Sequence, residues 1–251
     1  MIPYLEIKTI QLGPLTIQAW GLFVAIGIFV GAWMGARMAK RRGLDGGAVW
    51  DASAWIVVGA MVMARVFHVA LYDLATYLAD PLSVIAVWRG GMSMFGGLVG
   101  ATLAGVWFMR RRKLDFWKYA DAMIYGLPFG IGIGRIGCFL IHDHPGTLTR
   151  FILGVRYPDG SIRHDLGFYE SIYGFAIAIG FLVLARRNAK PPAYIVTFLV
   201  TYGIFRFFSD FLRVVDARYL GLTPAQYLSL VMVVAGGLVW YRSRFRADAR
   251  W

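Results

Sequence analysis

Seven apolar runs, each about the thickness of a bilayer, limit this chain more than any other feature. They cover about Ile17–Ala39, Ala48–Tyr72, Met92–Met109, Ala120–Ile141, Phe168–Ala185, Ala193–Leu212 and Pro224–Tyr241. Crossing the hydrocarbon takes ~20 such residues in a helix. The chain is 59% hydrophobic and 16% charged, with a mean hydropathy of +0.60. A soluble domain of this length carries more charge. The sequence therefore predicts an all-α polytopic membrane protein of about seven transmembrane helices. Residues 1–251 are expected to form a single transmembrane domain. The first fifteen residues, with Pro3, Gly13 and Pro14, read as an extended or interfacial lead-in. They lack a basic n-region, so no cleavable signal peptide is expected.

The formal charge of +12 does not indicate nucleic acid, because the basic residues stand in short clusters between apolar runs. On one side lie Arg37, Lys40, Arg41, Arg42, Arg110, Arg111, Arg112, Lys113, Lys118, Arg186, Arg187, Lys190, Arg242, Arg244, Arg246 and Arg250. The other side carries only Lys8, Arg89, Arg150, Arg156, Arg163 and Arg218. The positive-inside bias predicts an outer N-terminus and a cytoplasmic C-terminus. The segments of about 73–91 and 142–167 are then outside. The second contains His-Pro-Gly at 144–146 and Pro-Asp-Gly at 158–160, which predicts a small extracytoplasmic cap with a short hairpin at Pro158-Asp159-Gly160.

Inside the sixth run, Tyr202, Arg206, Asp210 and Arg213 fall at roughly 0°, 40°, 80° and 20° on a helical wheel, forming one polar stripe. An arginine at bilayer depth costs on the order of 2.5–3.5 kcal/mol, so each needs a partner. Asp210 can pair with one, leaving positive charge for an anionic ligand. Alternatively, an Arg–Asp pair could simply lock two helices. Arg135 lies toward the outer end of the fourth run, within Gly130-Ile-Gly-Ile-Gly134-Arg135-Ile-Gly137-Cys138. These glycines suit either close helix packing through a GxxxG or approach of a lipid headgroup, and Arg135 could snorkel. Guanidinium forks at low dielectric suit a phosphodiester. His142, Asp143 and His144 form one polar group outside the fourth run; His164, Asp165, Tyr169 and Glu170 form another before the fifth. Metal ligation is conceivable, but the spacing matches no standard site, and the lone Cys138 spells neither a disulfide nor a zinc cluster. Neither metal nor cofactor is expected. His68 reads as a core or interfacial residue near Arg65 and Tyr72.

Several motifs, in order along nearly the whole chain, resemble the bacterial prolipoprotein diacylglyceryl transferase family. They are Gly13-Pro14-Leu-Thr-Ile-Gln-Ala-Trp-Gly21, Lys40-Arg-Arg-Gly-Leu44-Asp and Gly90-Gly-Met-Ser-Met-Phe-Gly-Gly-Leu-Val-Gly100. Gly134-Arg-Ile-Gly-Cys-Phe139 is similar to the family's Gly-Arg-Ile-Gly-Asn-Phe signature. Tyr202, Arg206, Asp210 and Arg213 keep the spacing of its Tyr/Arg/Glu/Arg helix, and Leu222-Thr-Pro-Ala-Gln226 resembles the start of its last helix. Some positions depart. Phe95 stands where many members have a histidine, Cys138 replaces the asparagine, and Asp143 and Asp210 replace glutamates. Arg163-His164-Asp-Leu-Gly-Phe-Tyr169-Glu170 keeps only part of the family's Arg-His-Pro-Ser-Gln-Leu-Tyr-Glu.

The resemblance implies an enzyme of the bacterial cytoplasmic membrane. It would move diacylglyceryl from phosphatidylglycerol to the lipobox cysteine of a secreted preprotein. Its partners would be phosphatidylglycerol, the preprotein and membrane lipid. The implied catalytic residues are Arg135, Arg206 and Tyr202, with His142, Asp143 or His144 as base, or the local positive field in place of a base. The implied substrate-binding residues are Arg135, Arg206, Arg213, Asp210, Cys138, Gly96, Gly97, Gly146, Tyr169 and Glu170. Two other readings stay open: a sister transferase with another acceptor, and a non-catalytic phospholipid-binding protein.

Overall fold

Glycines decide how the helices meet. The computed structural model describes residues 1–71, 74–86 and 90–245, with the side chains of residues 12, 75 and 245 left aside. Tyr72, at the end of the expected second run, and Arg89, Arg246 and Arg250, from the orientation comparison, lie outside the described residues. The fold is mostly helical. Among the described residues, six helices are long and apolar enough to cross a membrane: α1 (Ala19–Arg41), α2 (Gly46–Leu71), α5 (Phe116–Ile141), α6 (Leu166–Arg186), α7 (Ala193–Ser209, continuing through a 3₁₀ turn at Asp210–Leu212) and α8 (Pro224–Phe245). The expected third span corresponds to α4 (Met94–Arg111). It has 18 residues, ends in Arg110-Arg111, and is not one of those six.

The chain divides into two compact units, Met1–Met38 with Ala120–Trp251, and Ala39–Tyr119. In the first, α1 and α5 approach through glycine pairs. A Cβ on Gly27 would sit 2.5 Å from the Gly130 carbonyl oxygen, and one on Gly126 would collide with the Gly31 carbonyl. The packing explanation therefore holds for Gly130. Gly134 has more room, with nothing nearer than 3.9 Å. Helix α6 presses Gly174 against Gly132, and Ser171 Oγ donates to the Gly132 carbonyl at 2.8 Å. Tyr173 stacks on Phe205 of α7 at 3.8 Å.

The first unit also carries a small sheet in the order β1 (Ile2–Pro3), β5 (Val155–Arg156), β6 (Ile162–Asp165), β4 (Pro145–Leu148). Only the β1–β5 pair is parallel. The β5–β6 hairpin turns at Pro158-Asp159-Gly160. Gly160 there adopts a φ of +79°, and Asp159 Oδ1 accepts from the Ser161 amide and hydroxyl. A separate hairpin pairs β2 (Thr9–Leu12) with β3 (Leu15–Gln18) around Gly13. Asp165 ends the sheet and caps α6, accepting from the Phe168 amide at 3.0 Å.

In the second unit, α2 lies along α4. A Cβ on Gly100 would collide with the Gly59 carbonyl, and one on Gly96 with the Met63 carbonyl. The segment between these helices holds α3 (Leu74–Ala79) and a 3₁₀ turn at Pro81–Ile85. Arg65, buried on α2, fastens that segment through backbone carbonyls. Nε donates to Val84, Nη1 to Gly90 and Gly91, and Nη2 to Ser83 and Ala86. All five guanidinium hydrogens are thereby used.

Candidate functional site

Three arginines, from α5, from α7 and from the extended residue after the 3₁₀ turn, converge on one carboxylate of α6. Glu170, in the first turns of α6, is 1% exposed. Its Oε2 lies 2.7 Å from Arg135 Nη2, and its Oε1 contacts Arg206 Nη1 and, at 3.6 Å, Arg213 Nη2. Asp210, fully buried, meets Arg206 Nη2 at 2.9 Å and Arg213 Nε at 3.1 Å. Arg213 Nη1 reaches Asp216 at 3.1 Å. Tyr202, on α7, stacks on Phe198 at 5.1 Å and lies near Arg135.

Two expectations need correction here. The stripe was expected to keep a spare positive charge after Asp210 had paired. Instead, three guanidiniums face three carboxylates, because Glu170 and Asp216 come from outside the stripe. Arg213 was also placed on the helical wheel. Helix α7 ends at Ser209, the chain tightens into a 3₁₀ turn, and Arg213 is extended with φ −74° and ψ 138°. Its backbone bridges to Gly146, and its side chain folds back to the cluster.

The cluster is neutral but not saturated. Glu170 Oε2, Asp210 Oδ1 and Arg213 Nε are buried and close to their charge partners without a well-aligned hydrogen bond. Arg135 is the most accessible of the three, with 25% of its side chain exposed. Beside the cluster runs an apolar groove of ≈ 470 Å³ between α6 and α7, lined by Tyr169, Tyr173, Ile204, Phe205, Phe208, Ser209 and Leu212.

The remaining candidates fall into three groups. Cys138, Asp143 and His144 come together where α5 ends: their ligand atoms lie within 4.8 Å of one another, and Arg135 Nη1 is 3.8 Å from Cys138 Sγ. His142 is set apart in the interior. Its side chain is 1% exposed, Nδ1 is 2.7 Å from Asp165 Oδ2, and the ring stacks on Tyr4 at 4.1 Å. His142 Nε2 is buried without a hydrogen-bond partner among the described residues. Tyr169 holds His164 Nδ1 at 2.8 Å. Burial of His164 keeps its imidazole below the ordinary histidine value. Gly146 permits a close approach, since a Cβ there would lie 2.9 Å from the Leu212 carbonyl oxygen. Gly96 and Gly97 belong to α4 in the second unit, where Gly96 is required by packing and Gly97 has room.

Sequence reasoning missed Thr223, Gln226, Asp216 and Tyr157 as supporting groups, and placed Asp165 in a polar group without its role as partner of His142 and cap of α6. Thr223 Oγ1 donates to Asp210 Oδ2, while Gln226 Oε1 accepts from the Thr223 amide at 2.9 Å. A signal was present. Thr223-Pro-Ala-Gln226 has the form of a helix-capping box with proline at the first helical position.

These features define a polytopic helical membrane protein with a buried arginine–carboxylate cluster. The family profile described as prolipoprotein diacylglyceryl transferase matches residues 8–242. A curated relative from Pseudomonas putida, named phosphatidylglycerol–prolipoprotein diacylglyceryl transferase, is 35% identical over 100% of this chain and 99% of its own. Relatives of the same name from Bacillus cytotoxicus and Bacillus cereus are 31% and 32% identical, each over 100% of this chain and 97% of its own. The chain belongs to the prolipoprotein diacylglyceryl transferase family and is a transferase.

Proposed function

We propose that this transferase moves the diacylglyceryl group of phosphatidylglycerol onto the lipobox cysteine of a secreted preprotein at the outer side of a bacterial cytoplasmic membrane. The observation that carries this reading is a full-length family match on a chain that gathers three arginines around one buried carboxylate. In the reaction, the acceptor sulfur forms a bond to the glyceryl carbon. The bond from that carbon to the phosphate oxygen breaks, and glycerol phosphate departs with the electron pair. Arg135 and Arg206 hold the donor phosphate and stabilise the charge growing on it. Glu170 and Asp210 keep the guanidiniums aimed while the site is empty, avoiding the cost of burying a net charge. An arriving phosphodiester takes donors that the carboxylates leave poorly aligned. The acyl chains lie along the groove bounded by Tyr169 and Leu212. Tyr202, Arg213, Cys138 and Gly146 shape the same end.

The acceptor thiol, with its ordinary pKa near 8.5, must lose a proton. Asp143 and His144, partly exposed, are better placed for this than the enclosed His142. We further propose that α4 completes seven spans in one transmembrane domain, with the N-terminus outside, the C-terminus in the cytoplasm, and segments 73–91 and 142–167 outside. The β4–β6 sheet would then form the cap. The test is purified protein with labelled phosphatidylglycerol and a lipobox peptide. Labelled peptide together with free glycerol phosphate is expected. Arg135→Ala should lose about 10²–10³-fold in rate, the scale for removing one oxyanion donor. Glycerol phosphate released without peptide labelling would favour a sister transferase. Full activity of Arg135→Ala would remove the clamp.

A further inference from the structure

The end of α5 brings together three groups of different chemistry: a thiol, a carboxylate and an imidazole. Cys138 sits in the last turn of the helix. The chain then turns sharply at His142, which adopts a φ of +48°, and delivers Asp143 and His144 over that last turn. One ligand atom from each of Cys138, Asp143 and His144 falls within 4.8 Å of the other two. We propose that these three residues bind a divalent transition metal of the zinc type, with one coordination position left open for a thiol.

Four observations support this. Sulfur, imidazole nitrogen and carboxylate oxygen make a mixed set that suits zinc and excludes magnesium or calcium, which take oxygen ligands. Three protein ligands among the described residues match sites that keep an open position. The charge balances, because a thiolate and a carboxylate together neutralise a dication. The site also lies at the C-terminal end of a 26-residue helix, where the backbone dipole favours a cation. Arg135 does not repel the ion as a bare charge would. It is paired with Glu170 at 2.7 Å, and its Nη1, 3.8 Å from Cys138 Sγ, is an outer donor of the kind that tunes a metal-bound thiolate. Access comes from the exposed side, since the Asp143 and His144 side chains are 31% and 25% exposed while Cys138 is buried beneath them. The carboxylate and imidazole now touch each other. On binding, each would give one atom to the ion instead.

Resting on the function proposed above, the open position has a use. A thiol that coordinates such an ion is deprotonated outright. The acceptor cysteine would bind as thiolate, its proton passing to water, and the chain would need no separate strong base. Phe95, which has no ionisable group, is then no loss.

The test uses full-length protein in detergent, stripped with a chelator and titrated with Co²⁺. Cys138 is the only cysteine, so a cobalt–thiolate charge-transfer band in the near ultraviolet can arise from no other side chain. The expected result is such a band at one metal per chain, absent in Cys138→Ser. Asp143→Asn and His144→Gln alter partly exposed side chains. They should weaken binding by more than the ~10–100-fold typical of losing an outer-shell partner. A cysteine-containing lipobox peptide should strengthen the band, and its serine counterpart should not. Absence of a band in the unaltered protein, or a band unchanged by both Asp143→Asn and His144→Gln, overturns the metal site. A cysteine peptide that acts no differently from the serine one overturns the open thiol position. Stripped protein that transfers at the full rate overturns thiol activation but leaves the transferase reading intact. A metal-loaded protein with the expected bands that labels no peptide counts against the transferase reading alone.

Discussion

Replacing Glu170 with glutamine tests the charge centre directly. The substitution keeps shape and burial but removes one negative charge from beneath three guanidiniums. At an effective dielectric near 20, the 2.7 Å contact with Arg135 alone amounts to about 6 kcal/mol of Coulomb attraction. Desolvation offsets part of this, and removing one partner of a buried pair typically costs about 3–5 kcal/mol. For a chain of this size, each kcal/mol moves the melting temperature by about 2–4 °C, so a fall of roughly 6–20 °C is expected. Circular dichroism in detergent measures it. The loss should persist in high salt, because buried pairs are little screened. It should also be partly repaired by phosphatidylglycerol, which supplies the missing anion, and repaired more than any gain in the unaltered protein. Melting within about 1 °C of the unaltered protein would refute the view that Glu170 holds the three arginines together.

Three further outcomes are expected. Gly126→Ala places a methyl group against the Gly31 carbonyl and should lower the melting temperature and the folded yield, whereas Gly180→Ala, with open space around its Cβ position, should not. Arg65→Lys cannot reproduce five donors in a fork, so amide exchange across residues 81–86 should speed up while the helix content stays the same. Burial favours neutral His164, so the folded value lies below the unfolded one. Its contribution to stability is complete above the unfolded value near 6.5 and is lost as pH falls through the folded value. His164→Asn should therefore flatten the acid side of the melting-temperature profile, and an unchanged profile would exclude this contribution.

Six helices long and apolar enough to cross a membrane could be read from the sequence because hydrocarbon imposes a length and composition that few other folds need. The family could be read as well, because its motifs are local and occur in order. The β5–β6 turn was legible for a similar reason, since Pro158-Asp159-Gly160 is a local instruction. The partners of the arginines were not. Glu170 belongs to α6 and Asp216 to the segment after α7, and no periodicity links them to Arg135. Where Arg213 sits depended on α7 ending at Ser209, which a helical wheel cannot represent. The gathering of Cys138 with Asp143 and His144 depended on one residue, His142, turning the chain back at the helix end. Sequence alone thus determined that guanidiniums would be buried. Only the tertiary structure decided which carboxylates neutralise them, because pairing at low dielectric depends on distances of a few ångströms between segments far apart in the chain.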